Sequence, residues 1–329
     1  MQKSLIGVDL GGTNIRVAAV SMQGKVLHSR KESTDPEQGR ELVIRKLLGM
    51  LDDTLQQEKE ARRKPVAVGI GAPGVIFVKR GIIVSSPNLP DWIQVPLKRI
   101  VSRKIDLPVV IENDANAAAF GEKWVGTGKG ASSLICITLG TGVGGGIVLN
   151  GEVWHGEDGM AAELGHTTVN PDGPQCKCGN TGCLEVYASA TGIVGEVKRH
   201  LKREDSVLKK SFQGREDVFR SEDVFRAAKA GDMVCLRVIH QMGRYLGIGI
   251  ASFVNIFNPD MIVLSGGVTA AWDDFIDIVE EEVHVRAFEV PRKRAVIRKA
   301  KLGDQAGVIG AAGVALQALR SRSSRRGKG

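Results

Sequence analysis

Two stretches of this 329-residue chain decide its fold: SLIGVDLGGT at residues 4–13 and SLICITLGTG at residues 133–142. At an offset of 129 they share Ser, Leu, Ile, Leu and Gly. With two residues skipped, Gly24-Lys25-Val26 then meets Gly151-Glu152-Val153. Each stretch is an apolar strand that runs into a glycine loop and out into a second apolar run. A strand–loop–strand unit that occurs twice predicts a duplicated α/β architecture, with two related lobes facing each other across a cleft. Three strands are expected at the start (residues 5–10, 15–21 and 25–31), followed by a helix carrying Leu42, Val43, Leu47, Leu51 and Leu55 at helical spacing. A long buried helix is expected to end near Pro259, and a last helix to span about 305–319.

Composition excludes several classes of protein. Apolar residues make up 43% and charged residues 25% of the chain, as in an ordinary soluble globular protein. The 41 glycines follow no collagen period. The net charge of +8 suggests nucleic acid until it is located. Arg320, Arg322, Arg325, Arg326 and Lys328 crowd the end, in RSRSSRRGKG, where there is no acid. The body is therefore nearly neutral, and residues 320–329 read as a disordered, solvated basic tail; no nucleic-acid partner is expected. No secretory leader is expected, because MQKSLIGVDLGG has too short an apolar run. The charge-free residues 130–151 are too rich in glycine and polar groups for a membrane span. Three of the five cysteines fall between 176 and 183, which suggests a metal in a reducing cytoplasm.

The glycine loops are the first chemical candidates. In DLGGTN, an acid (Asp9) closes a strand before Gly11, Gly12, Thr13 and Asn14. Glycines let backbone N–H groups approach phosphate oxygens, Thr13 adds a donor, and Asp9 can hold a magnesium-bound water. A plain hairpin with an acid at its turn is the alternative. In TLGTGVGGG, Thr138, Gly140, Thr141 and Gly142 supply a second cradle, and two cradles together point to a nucleotide. No GxxxxGK[ST] loop occurs, and GVGGG leads into a strand, so neither a Walker loop nor a dinucleotide fold fits. Gly266 and Gly267, in SGGV, could approach an adenosine or simply turn the chain.

Asn113-Asp114 closes one apolar strand and opens a helix. Either residue could be the N-cap; alternatively, Asp114 is a general base for a hydroxyl that attacks a γ-phosphate. AELGH and GCLE bring Glu163, His166 and Glu185 to a polar site of the kind a sugar requires. His166, Cys176, Cys178 and Cys183 follow the pattern H-x9-C-x-C-x4-C, a closed set of ligands for a structural zinc. The other histidines, among them His28 and His155, show no partner pattern and read as surface or core filler.

Together, DLGGTN, GAPG, ENDANAAAFGE, TLGTGVGGG, AELGH, CKCGNTGCLE and YASATG resemble the ROK family (repressors, open reading frames, kinases) of sugar kinases, and its glucokinases in particular. The resemblance runs from Lys3 to about Leu319. It implies a two-lobed actin/hexokinase-type (ribonuclease H-like) ATPase fold with duplicated mixed-sheet lobes. The expected smaller lobe is residues 1–115 plus about 305–319, and the larger is 116–304. It also implies ATP, Mg2+ and structural Zn2+, with Asp114 as the base toward a hexose 6-hydroxyl. Asn113, Glu163, His166 and Glu185 would hold the hexose, with Asn88 a further contact. Glucose is the first expectation; fructose, mannose, N-acetylmannosamine and a non-catalytic sugar sensor are the alternatives. A cytoplasmic homodimer or homotetramer is expected. The family's repressors carry a DNA-binding module ahead of DLGGTN, and the eight residues before Asp9 do not fit one.

Overall fold

A computed structural model describes residues 1–211 and 218–326. In chain order the elements are β1 (Gln2–Leu10), β2 (Asn14–Ser21), β3 (Val26–Ser33), α1 (Arg40–Glu60), β4 (Arg63–Ala72), β5 (Val75–Phe77), β6 (Ile82–Ser85), α2 (Leu97–Lys104), β7 (Val109–Asn113) and α3 (Asp114–Trp124). Next come β8 (Leu134–Leu139), β9 (Val143–Leu149), β10 (Glu152–Val153), α4 (Glu185–Ala188), α5 (Ala190–Leu201), α6 (Val207–Ser211), α7 (Ser221–Lys229) and α8 (Met233–Phe257). The chain closes with β11 (Met261–Ser265), α9 (Ile276–Arg286), α10 (Glu289–Arg294), β12 (Val296–Lys299) and α11 (Ala306–Arg326).

The repeat read in the sequence is a repeat of topology. One sheet has the order β3-β2-β1-β4-β7 and the other β10-β9-β8-β11-β12, so β1 and β8 hold the same central place. In the first sheet β2 runs antiparallel to β1 and β3 to β2, while β4 and β7 are added in parallel. In the second, β11 is parallel to β8 and β12 to β11. Gly24 (φ 85) and Gly151 (φ 81) both turn the chain into the outermost strand of their sheet, in a conformation that favours glycine. The fold is therefore the α/β arrangement with two mixed sheets that the motifs imply.

Strand β1 shows why the first sheet is covered on both sides. Its side chains alternate faces. Leu5 joins a cluster with Ala18, Ala67, Val308, Ile309 and Ala312. Ile6, Val8 and Leu10 join another with Leu47, Ile70 and Trp92. Each such fully buried aliphatic side chain contributes roughly 1.5–3 kcal/mol.

Two compact units emerge: residues 1–131, 146–162 and 301 onward form unit 1, and residues 132–145 and 163–300 form unit 2. Their borders differ from the expected 115/116 and 304/305. Helix α3 and residues 146–162 belong with unit 1, because α3 packs backbone-to-backbone on α11. A Cβ on Gly310 would lie 1.6 Å from the Ala117 carbonyl oxygen, so only glycine allows that crossing. The tail expectation also needs correction. Helix α11 continues to Arg326, so residues 320–326 are helical rather than disordered. Serine and arginine are compatible with extending a helix already started by an alanine-rich segment. Residues 327–329 lie outside the described part. Strand β12 (VIRK) was not anticipated, because its three exposed residues leave only Ile297 as an apolar signal. Among the described residues no helix is long and apolar enough to cross a membrane.

Candidate active site

Strand β7 runs straight into α3, and the junction is built from its own side chains. The N-cap is Asn113: its Oδ1 accepts the backbone N–H groups of Ala115 (2.9 Å) and Asn116 (3.2 Å). Its Nδ2 donates to the Gly74 carbonyl (3.2 Å) in the GAPG loop. Asn113 is thus engaged as a cap, with one amide hydrogen left for a ligand. Asp114 is the first helical residue, half-buried, and its Oδ1 accepts the Ala115 N–H at 2.8 Å. A carboxylate is favoured there by the positive end of the helix.

The first glycine loop connects β1 and β2. Gly11 N–H donates to the Asn14 carbonyl (2.9 Å), and Thr34 Oγ1 donates to the Gly11 carbonyl (2.7 Å). Asn88 lies against Gly12: a Cβ on Gly12 would come 2.8 Å from the Asn88 Cβ. The exposed Asn88, expected at a sugar, is therefore also a wall of the first loop. Asp9 sits opposite Arg16 in the β1–β2 register and against Gly307 at the start of α11. Burial raises its carboxyl pKa above the usual carboxylate value, and the Arg16 guanidinium opposes that shift. Arg16 itself is paired with Asp304 at 2.5 Å.

The second loop connects β8 and β9 in unit 2. Gly140 N–H donates to the Gly142 carbonyl (3.0 Å), and the Gly140 carbonyl accepts the Ala190 N–H (2.8 Å). Thr191 Oγ1 donates to the Thr141 carbonyl. A Cβ on Gly140 would meet protein only at 4.0 Å, so that face is open. Thr138 Oγ1 pairs with Ser265 Oγ at 2.9 Å. Gly266 (φ 90) is demanded by the packing of the turn, since a Cβ there would lie 2.3 Å from the Leu139 carbonyl; Gly267 faces open space.

Glu185, expected at a sugar, holds the second loop through Oε2, which accepts the Val143 N–H at 2.9 Å. Its Oε1 lies 4.0 Å from the Cys176 sulfur. Glu163 is exposed, and among the described residues its carboxylate carries no hydrogen bond. It directly follows Ala162, a non-glycine residue at φ 72.

Beside these carboxylates, the ligand atoms of His166, Cys176, Cys178 and Cys183 all lie within 4.8 Å of one another. Cys178 and Cys183 sulfurs are 3.7 Å apart, as are Cys176 Sγ and His166 Nδ1. A tetrahedron with Zn–S bonds of about 2.3 Å has a sulfur–sulfur edge of about 3.8 Å. The donor set and its spacing therefore fit zinc with no position left open. Burial pushes the Cys183 thiol up to about 12, and a bound dication acts in the opposite direction. Asn170 anchors the same loop, donating to the hydroxyls of Tyr187 (3.0 Å) and Tyr245 (2.9 Å). Cys136 and Cys235 are buried core residues, as expected.

The histidines correct the sequence reading. His155 Nε2 pairs with Glu112 at 2.7 Å and His28 Nε2 with Glu58 at 2.8 Å, so neither is filler. Both pairs join residues far apart in sequence, and no local spacing announces them.

A sequence profile of the ROK family matches residues 5–318. The chain belongs to the ROK family. It is 40% identical over 309 residues to a glucokinase of Halalkalibacterium halodurans, covering 93% of this chain and 92% of that protein. It is 34% identical to a xylose repressor of Caldicellulosiruptor bescii, covering 93% of this chain and 76% of the repressor. Among solved structures, a ROK hexokinase from Thermus thermophilus superimposes with a TM-score of 0.82 at 34% identity, covering 97% of this chain and 99% of that one. A ROK family glucokinase from Streptomyces griseus, in complex with glucose and AMPPNP, gives 0.77 at 36% identity, covering 95% and 99%. As a ROK protein, the chain has the actin/hexokinase-like fold of these structural neighbours.

Proposed function

We propose that this protein is a glucokinase: it transfers the γ-phosphoryl group of ATP to the 6-hydroxyl of a hexose, D-glucose first. The observation that carries this reading is the turn at the end of β7. It presents a carboxylate, Asp114, at a helix N-terminus whose cap is already filled by Asn113. Asp114 accepts the proton of the attacking hydroxyl. The sugar oxygen forms a bond to the γ-phosphorus as the bond to the ADP oxygen breaks, and ADP leaves. The two glycine loops supply backbone N–H groups to the phosphates. Asp9, whose carboxylate accepts no hydrogen bond among the described residues, would hold magnesium through water; the ion would neutralise phosphate charge. Asn88, Asn113, Glu163, His166 and Glu185 are the proposed hexose contacts. Zinc on His166 and the three cysteines is structural in this reading, and a cytoplasmic homodimer or homotetramer is the proposed assembly.

The test is ADP release, measured with glucose, fructose, mannose and N-acetylmannosamine and with no sugar. The reading predicts the highest kcat/KM for glucose and little hydrolysis without sugar. Release that ignores sugar would instead mark an actin-like ATPase. The similarity to a xylose repressor favours a second reading, a sugar sensor; sugar binding without ADP release would establish it.

A further inference from the structure

Glu112 is 1% exposed, and each of its oxygens is engaged. Oε1 accepts the backbone N–H of Asn113 (2.9 Å) and the side-chain amide of Asn116 (3.2 Å). These residues flank Asp114 in sequence, so one carboxylate grips the turn on both sides of it. Oε2 meets His155 Nε2 at 2.7 Å. His155 follows β10, on the segment that leads to Glu163, and its side chain is 33% exposed. That segment lies on the β5–β6 hairpin: a Cβ on Gly159 would come 2.6 Å from the Ile76 carbonyl. All these groups lie in unit 1.

We propose that His155 is a positioning residue for the Asp114 turn, acting through the Glu112 carboxylate. The proposal rests on the reading of Asp114 as general base. A carboxylate this buried is tolerated when its oxygens are paired and its charge is balanced. The imidazole does both. The bond to Glu112 raises the imidazole pKa above its ordinary 6.5, against desolvation and the nearby Lys79. The charged groups around the ring are therefore Glu112 on β7 and Lys79 on the hairpin, with exposed Glu157 and Asp158 on its own segment. The charged pair is present below the raised value and is lost as pH rises through it. Without the imidazolium, Glu112 becomes an unbalanced negative charge two residues from Asp114. An added negative charge on the strand that leads into the base favours the base's protonated form and so costs activity on the acid side.

The test uses His155→Ala and His155→Gln. Glutamine keeps a donor for Oε2 but cannot carry charge. His155→Ala should lower kcat at least ~10-fold at all pH values, because a misplaced turn misdirects the base, with KM for ATP unchanged. His155→Gln should approach wild-type kcat on the alkaline side, with its acid limb shifted to higher pH. Wild-type kcat in His155→Ala, or equal losses in both variants with an unmoved acid limb, would overturn the proposal. A readout independent of the sugar chemistry is the NMR titration of the His155 ring. It should lie above 6.5 in the wild type and fall in Glu112→Gln. An unchanged titration would remove the pair itself, whereas a wild type without sugar-dependent ADP release would remove only the kinase reading.

Discussion

The two glycine loops share a fold position and differ in what they carry. β1 and β8 occupy the same place in sheets of the same order, and each ends in a loop that a second strand follows. At the repeat offset, Asp9 of the first loop corresponds to Thr138 of the second, and Gly12 to Thr141. The first loop is braced by Thr34 and Asn88 and has a carboxylate at its root. The second is braced by Glu185, which also approaches the cysteine cluster, and has a hydroxyl at its root. The two units of the repeat share their backbone path, while the side chains at equivalent points differ. One loop has a carboxylate at its root, and the other is fixed by a glutamate that also approaches the cysteine cluster.

That asymmetry makes unequal predictions. Asp9→Asn should cut kcat by ~10²-fold or more, on the scale of losing a group that stabilises transition-state charge. Thr138→Val should cost only a few-fold, and equal losses at the two sites would break the comparison. The Asp9 variant should not be less stable. Burial raises the Asp9 pKa, so the stability the carboxyl contributes is present below its ordinary value and is lost as pH rises through the raised one, a loss that asparagine does not suffer. Thermal unfolding at neutral pH checks this: a melting temperature at or above wild type is expected.

The next effect concerns the brace of the second loop. A Cβ on Gly142 would lie 2.4 Å from Glu185 Oε2, so Gly142→Ala should displace Glu185 from the Val143 N–H. ATP affinity should fall by about 1–3 kcal/mol, the cost of an unpaired polar group. Calorimetry with an ATP analogue reads it. Cys178→Ser should reduce zinc content, measured by elemental analysis from about one per chain, and raise the glucose KM more than the ATP KM. The smallest effect is a gain. Ala162 is held at φ 72, so Ala162→Gly should add about 1 kcal/mol of stability, seen in denaturant unfolding.

The sequence announces what is local. Each copy of the repeat, both loops, the Asn113-Asp114 junction and the cysteine spacing are written within about ten residues, and glycine or cysteine at fixed offsets has few uses. What it conceals is made by distant packing. Helix α3 joins unit 1 because Gly310 lets α11 touch its backbone, a contact across nearly two hundred residues. Glu112 and His155 meet because β7 and the segment after β10 are brought together, and neither residue type is distinctive alone. The cap and the acid at residues 113 and 114 could not be told apart from sequence, since both types favour N-caps; the hydrogen bonds assign the cap to Asn113 and make Asp114 the first helical residue.

That assignment is best tested on Asp114 itself. Asp114→Asn keeps the size of the side chain and an oxygen for the Ala115 N–H, and removes the base. Glucose and ATP-analogue binding should be retained by calorimetry, while kcat for glucose phosphorylation falls by at least ~10²-fold. A variant that binds both ligands and keeps half of its activity would contradict the account.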